Sequence, residues 1–265
     1  MSERSSVPQG APCWIDLWTS DVQASREFYS ELFGWEAQEP SEEFGGYFMF
    51  TRQGVPVAGG MGDMGDMPAN NTWKIYLSTL DINDTVSRGE ELGASFVFPP
   101  MPVGDMGIQT VFTDATGAAL GAWQPLSFSG FTTWEEHGTP CWFELNARDF
   151  ESAVDFYRDD FSLRTKVVSD SPEFRYTSLV ADGAEVAGIV DASGLLSEGA
   201  ASYWVVYWQV NDIDSALARV RELGGTVHDG PLDSPFGRIA TVADTSGSVF
   251  KLRGSPSVER PRDPA

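Results

Sequence analysis

Two short segments of the chain place a carboxylate beside aromatic side chains at the spacing of a β-strand. Trp14, Asp16 and Trp18 alternate in one segment, and Trp142, Glu144 and Asn146 alternate in the other. Because successive side chains of a strand point to opposite faces, each set of three is expected on one face of a sheet. Indoles stack on flat rings and attract cations, and a carboxylate accepts a charge-assisted hydrogen bond from an amine. The pattern predicts a site for a planar aromatic molecule that could be cationic.

Three further aromatic side chains share this phase in the strands expected to lie alongside. The predicted ligand-binding residues are therefore Trp14, Asp16, Trp18, Tyr76, Trp123, Trp142, Glu144 and Tyr207. Asp16 and Glu144 are also candidates for a general base, although a carboxylate on a sheet is as often a structural hydrogen-bond acceptor. The tryptophans have their own alternative, which is simply to fill the interior of a curved sheet.

The first segment carries the fuller aromatic set. Asn146 stands where the first copy has Trp18, and Arg253 stands where it has Trp123. We therefore expect the first cleft to bind the ligand, and the second cleft to be more polar and to bind differently or not at all. Met61, Met64 and Met67 are spaced between glycines and predict either a flap over the first cleft or an ordinary exposed loop.

The two segments belong to a repeat that runs through the whole chain. Pro12-Cys13-Trp14-Ile15-Asp16-Leu17 returns 128 residues later as Pro140-Cys141-Trp142-Phe143-Glu144-Leu145. Asp114-Ala115-Thr116-Gly117 likewise returns as Asp244-Thr245-Ser246-Gly247. An internal repeat of this length predicts two similar domains.

Hydrophobic periodicity and turn residues divide each half into strands and two helices. The order is strand, helix and short strands, occurring twice in each half, which predicts four βαβββ modules of an α+β fold. The expected segments are a flexible start at 1–10, a first domain at 11–125, a linker at 126–139, a second domain at 140–253 and a disordered tail at 254–265. Whether the modules pair within a domain or across the domains is left open.

This organisation resembles the vicinal oxygen chelate superfamily, which contains glyoxalases, bleomycin-resistance proteins and extradiol dioxygenases. The resemblance rests on Asp21-x3-Ser25-x2-Phe28-Tyr29-x3-Phe33-Gly34-Trp35 and on Asp114-x2-Gly117-Ala118-x2-Gly121-x-Trp123-Gln124-Pro125. It is nearest to tandem two-domain actinobacterial members, such as the mycobacterial antigen type and accessory proteins of anthracycline clusters. The resemblance implies two glyoxalase-like domains with curved, barrel-like mixed sheets.

The same resemblance implies where the metal ligands of the family would stand. Those positions hold Trp14, Lys74 and Gly121 in the first domain, and Trp142, Val205 and Lys251 in the second. A divalent metal needs several oxygen, nitrogen or sulfur donors, and none of these side chains is an ordinary donor. We therefore predict no metal, and no other cofactor either, because Gly62-x2-Gly65 lacks the strand–turn–helix context of a nucleotide-binding loop.

Composition excludes several kinds of partner. The chain has 265 residues, with 39 acidic and 17 basic side chains and a formal net charge of −22. Such a charge repels nucleic acid and anionic membrane surfaces. The apolar runs are too short to span a bilayer, the first ten residues do not resemble a signal peptide, and two cysteines are too few for a disulfide framework. A cytoplasmic protein is expected.

Two classes of function remain after these exclusions. The first is a metal-independent binding protein for a planar aromatic natural product or drug, which would serve antibiotic biosynthesis, self-resistance or a partner oxygenase. The second is a metal-free tailoring enzyme, such as an isomerase, a cyclase or a hydroxylase-like protein, with a glyoxalase-like lyase as a further variant. A protein-interaction role is a third reading. The residues at the expected metal-ligand positions favour a binding or accessory protein over a metal-dependent lyase or dioxygenase.

Overall fold

The computed structural model describes residues 7–63, 65 and 69–255. The elements of the first half are β1 (Pro12–Trp18), α1 (Val22–Phe33), β2 (Glu36–Ala37), β3 (Phe48–Arg52), β4 (Val55–Met61), β5 (Thr72–Ser78), α2 (Ile82–Glu91), β6 (Ser95–Phe96), β7 (Met101–Val103), β8 (Gly107–Thr113) and β9 (Ala119–Pro125). Those of the second half are β10 (Pro140–Ala147), α3 (Phe150–Asp160), β11 (Arg164–Ser171), β12 (Phe174–Ala181), β13 (Ala184–Asp191), β14 (Tyr203–Gln209), α4 (Ile213–Glu222), β15 (Thr226–Ser234), β16 (Gly237–Ala243) and β17 (Val249–Gly254).

Each half forms one curved mixed sheet, which confirms the predicted fold. The first sheet has the order β2-β3-β4-β1-β5-β9-β8-β6, with β7 added beside β8, and the second has the order β11-β12-β13-β10-β14-β17-β16-β15. The two modules of each half join through an antiparallel pair, β1 with β5 and β10 with β14. The question left open by the sequence is thereby answered, because the modules pair within each domain.

The helices begin where a short acidic side chain can cap them. Asp21, Asp81, Asp149 and Asp212 each accept a hydrogen bond from a backbone N–H of the first turn, which satisfies a donor that has no partner inside the helix. Helix α1 ends at Gly34 with φ 70°, as the glycine predicts. Its apolar side buries Phe28, Tyr29 and Phe33.

The two domains are joined by reciprocal hydrogen bonds between repeated motifs. The Tyr29 hydroxyl of α1 donates to Asp244 Oδ2 at 2.9 Å, and the Tyr157 hydroxyl of α3 donates to Asp114 Oδ2 at 2.6 Å. Asp114 Oδ1 meanwhile accepts from the backbone of its own turn, at Ala118 N. Each Tyr–Asp pair thus links the helix of one domain to a turn of the other, and the core is continuous across both.

The segments around the domains are packed where the structure describes them. The linker buries Phe131, whose backbone N–H donates to Cys13 O at 3.0 Å. At the start of the chain, Gly10 N donates to Ser78 O at 2.8 Å, so residues 7–10 of the predicted flexible segment lie against the sheet. Residues 1–6 and 256–265 of the predicted flexible ends lie outside the described residues. None of the helices described has the length and apolar character that a membrane crossing requires.

Candidate functional site

The predicted residues of the first domain lie together on one side of its sheet. We call this set, Trp14, Asp16, Trp18, Tyr76 and Trp123, the first-domain face. Asp16 is its centre, because Asp16 Oδ1 accepts hydrogen bonds from Trp14 Nε1 at 2.9 Å and from the Tyr47 hydroxyl at 2.8 Å. The Tyr76 hydroxyl is a further partner of the carboxylate. Trp14 and Asp16 therefore contact each other, as the strand period predicts.

Lys74 adds a cation to this face. It is paired in register with Asp16 across β1 and β5, and its ammonium lies 3.8 Å from the centroid of the Trp18 ring. Burial raises the pKa of Asp16 to about 6, against the opposing effects of its hydrogen bonds and of Lys74. Burial also lowers the pKa of Lys74 to about 8, although the charge of Asp16 opposes this shift. The two groups form a buried acid–base pair with pKa values on either side of neutrality.

The first-domain face is closed by the chain itself. Phe128 of the linker packs edge-on against Trp14 at 4.8 Å and against Trp123 at 6.3 Å. Trp123 Nε1 donates to Phe128 O at 2.9 Å. All five predicted residues are buried, and the most accessible of them, Trp18, is 8% exposed. Phe128 therefore covers the Trp14 and Trp123 side of this face.

The corresponding residues of the second domain surround a different ion pair. We call the set Trp142, Glu144, Asn146, Tyr207 and Lys251 the second-domain face. Glu144 Oε1 accepts hydrogen bonds from the Tyr207 hydroxyl at 2.7 Å and from Lys251 Nζ at 2.9 Å. Lys251 Nζ also donates to the Tyr207 oxygen at 2.8 Å. This face therefore carries a carboxylate and a lysine, as the first one does. Its lysine comes from β17, whereas Lys74 of the first domain comes from β5.

The second-domain face is more polar and more accessible than the first. Trp142 and Lys251 are partly exposed, and Trp142 Nε1 donates to the hydroxyl of Tyr176, which is also partly exposed. Arg253, in the position of Trp123, donates to Gln209 and to Glu135. The sequence comparison of the two copies predicted this difference in polarity.

Sequence reasoning did not identify Tyr47 and Tyr176. The Tyr47 side chain passes over Gly59 and bonds to Asp16, and the Tyr176 side chain passes over Gly188 and bonds to Trp142. A Cβ at either glycine would overlap the tyrosine oxygen. Both pairs recur at the same shift of 129 residues. A repeat alignment that included these tyrosines and glycines could have found them.

The donor set of neither face fits a divalent metal. Each face has one carboxylate, and hydroxyl, indole or ammonium groups already donate to its oxygen. At the position of the third expected ligand in the first domain, the Tyr76 ring lies where a Cβ on Gly121 would be. Across the ranges that the structure describes, no three His, Cys, Asp or Glu side chains come together as a metal site.

Met61, the first methionine of the predicted flap, lies in the sheet. Met61 ends β4 and is paired with Trp18 of β1. Met64 and Met67 lie outside the described residues.

Comparisons with known proteins agree on the family and the fold. The family described as Glyoxalase/Bleomycin resistance protein/Dioxygenase superfamily matches residues 13–121 and 140–252. The CFP32 protein of Mycobacterium tuberculosis is 33% identical over 95% of this chain and 97% of its own length. The anthracycline biosynthesis protein DauV of Streptomyces sp. is 33% identical over 92% of both chains.

Solved structures with lower identity show the same fold. The Mn(II)-bound glyoxalase from Novosphingobium aromaticivorans is 16% identical, with a TM-score of 0.65 over 94% of this chain and 83% of that one. The 2,3-dioxygenase LapB from Pseudomonas sp. KL28 is 13% identical, with a TM-score of 0.62 over 97% of this chain and 96% of that one. At these identities the likeness concerns the fold and not the reaction.

Proposed function

The chain belongs to the Glyoxalase/Bleomycin resistance protein/Dioxygenase superfamily, and we propose that it binds a planar aromatic small molecule without a metal. Its role would be that of an accessory protein in antibiotic biosynthesis, in self-resistance, or in relieving a partner oxygenase of its product. The ligand-binding residues proposed are those of the second-domain face and, once Phe128 moves away from Trp14 and Trp123, those of the first-domain face.

One observation carries this proposal. The sheet surfaces on which the family holds its metal are present in both domains, but they are lined by an indole, tyrosines and a lysine–carboxylate pair. Aromatic side chains of this kind provide stacking area, and the polar groups can fix the orientation of a bound ring. The name of the DauV relative refers to anthracycline biosynthesis, which supports a fused-ring aromatic ligand.

Trp142 gives the most direct test, because it is partly exposed. An anthraquinone such as alizarin should bind the purified protein, and EDTA should leave the affinity unchanged. Trp142→Ala should weaken binding about 5- to 150-fold, the equivalent of about 1–3 kcal/mol for a lost stacking partner. Trp134→Ala is the control, since Trp134 packs against Phe131 and Phe143 away from the face. Equal affinities of the two variants would contradict the proposal.

The acid–base pair of the first domain favours a second candidate function, a metal-free proton-transfer enzyme. A base with a pKa of about 6 beside an acid with a pKa of about 8 is suited to catalysis near neutral pH. If the bound aromatic molecule is converted, turnover should follow a bell-shaped pH profile and should be lost in Asp16→Asn. Mass spectrometry of the ligand after incubation tests this reading. If the ligand is unchanged over the whole pH range, the enzyme function is wrong and only the binding function remains.

A further inference from the structure

The second-domain face contains a buried donor without a partner. Asn146 is 8% exposed, and its Nδ2 makes no hydrogen bond to any residue that the structure describes. Asn146 follows Glu144 by two positions on β10, so both side chains point to the same side of the sheet. A buried amide that lacks an acceptor is unfavourable, and a bound molecule could supply that acceptor.

The first domain repeats this feature at the equivalent position. Trp18 is 8% exposed, and its Nε1 is also without a partner among the described residues. Trp18 and Asn146 have different side chains, but each leaves an N–H donor at the equivalent end of its own face. Because the feature recurs in unlike residues, we attribute it to the site and not to one imperfectly packed side chain.

Lys251 provides a second donor on the same face. An ammonium group has three N–H bonds, and within the described chain two of them are used, toward Glu144 Oε1 and the Tyr207 oxygen. The side chain is 20% exposed, so the third can reach a ligand. Lys251 also neutralises Glu144, and the face therefore has little net attraction for a cation.

We propose that the second-domain face binds a planar aromatic molecule bearing acceptor oxygens, of the hydroxyquinone class. One carbonyl or phenolate oxygen accepts from Lys251, another accepts from Asn146 Nδ2, and the ring plane lies against Trp142. Lys251 Nζ bonds to Glu144, and Asn146 is the next residue on that side of the strand, where successive positions are about 7 Å apart along the backbone. This spacing suits oxygens at separate positions of a fused-ring system. The inference rests on the binding function proposed above. It concerns the second-domain face, whereas the ligand that could be cationic is predicted from the sequence for the first-domain face.

Isothermal titration calorimetry with two three-ring probes tests the ligand class. Alizarin carries carbonyl and phenol oxygens, and 9-aminoacridine is a cation of similar size. We expect alizarin to bind the wild type more tightly than 9-aminoacridine does.

Two variants and one control then test the two donors. Asn146→Leu should weaken alizarin about 2- to 10-fold through the loss of a neutral hydrogen bond. The double variant Glu144→Gln/Lys251→Met removes both charges, so that no unpaired ion is left buried, and it should weaken alizarin about 10- to 100-fold. Lys166→Met is the control, because Lys166 is exposed and pairs with Glu185 at the edge of the same sheet. Melting temperatures establish that each variant is folded.

The outcomes separate the two proposals. If alizarin binds but folded Asn146→Leu and Glu144→Gln/Lys251→Met both retain wild-type affinity, or if 9-aminoacridine binds more tightly, the inference about oxygens is wrong and the binding function stands. If neither probe binds the wild type, the proposed function fails together with the inference.

Discussion

At the level of single residues, the pKa values of Asp16 and Lys74 are set by burial, which hydrogen bonds and the opposite charge offset only in part. Both side chains are about 95% buried, and burial disfavours the charged form of each, so their pKa values move toward each other. Neither shift could be read from the sequence, because each is caused by burial that arises only when the chain folds.

The coupling of this pair can be measured directly. In Lys74→Met the Asp16 carboxylate loses the positive charge that favours its ionised form, so its pKa should rise above the wild-type value of about 6. Carbon-detected NMR titration of the Asp16 carboxyl group gives both values. Lys166→Met, which removes an exposed charge, should leave the titration unchanged. An unaltered midpoint in Lys74→Met would show that the two groups are not coupled.

Asp160 is a second buried carboxyl group, at the contact of α3 with α2. It is fully buried, and neither oxygen has a hydrogen-bond partner in the described part of the chain. Burial raises its pKa to about 7, while Arg88 lowers it and Asp84 raises it. The equivalent position in α1 is the apolar Leu32.

This carboxyl group should make stability fall as pH rises. The folded protein holds the proton up to about pH 7, whereas the unfolded chain releases it near pH 4, so the folded state binds more protons between these values. Asp160→Asn should therefore raise the free energy of unfolding by about 1–3 kcal/mol at pH 8, with a smaller gain toward pH 4. Urea denaturation at several pH values measures this, with the exposed Asp155→Asn as the control. A gain that does not depend on pH would contradict it.

At the scale of elements, the repeated motifs are explained by contacts between the copies. Tyr29 and Asp114 belong to the first copy, and their partners Asp244 and Tyr157 belong to the second. The tyrosine hydroxyls also accept from indoles, Tyr29 from Trp73 at 3.0 Å and Tyr157 from Trp204 at 2.8 Å. The sequence shows that these residues recur, but only the packing shows that they bind each other.

Removal of either hydroxyl should destabilise the protein. Tyr29→Phe and Tyr157→Phe each leave an indole N–H and a carboxylate oxygen buried without a partner, which costs about 1–3 kcal/mol. Tyr203→Phe serves as the control, because Tyr203 is 45% exposed. Unfolding free energies from urea titration decide the matter. Losses no larger than that of the control would mean that water replaces these hydrogen bonds.

Short-range patterns were sufficient for much of the fold. The helix starts at aspartates, the end of α1 at Gly34 and the common face of Trp14 and Asp16 follow from local rules of capping and strand alternation. Tyr47 and Phe128 could not be placed on the site in this way. Both reach it from segments without regular periodicity, and their positions depend on how the chain folds back over the sheet.

At the scale of the whole molecule, the chain between the domains has a second role. It connects two sheets that share one continuous core, and it also returns over the first sheet, where Phe128 covers Trp14 and Trp123. One domain is thus covered by the segment that leads to the next. This arrangement explains why the two faces differ in accessibility, although they occupy equivalent positions of the repeat.

Phe128 can therefore be tested as the residue that closes the first-domain face. Its ring packs 4.8 Å from Trp14 and 6.3 Å from Trp123, so Phe128→Ala should leave a space beside these two indoles. We expect a loss of about 1–3 kcal/mol in stability, because the ring is only partly buried, and a rise from one to two alizarin molecules bound per chain in calorimetry. Leu126→Ala is the matched control, because Leu126 lies in the same segment and is 61% exposed. If folded Phe128→Ala still binds a single molecule, the aromatic side chains of the first domain are core and only the second-domain face is a site.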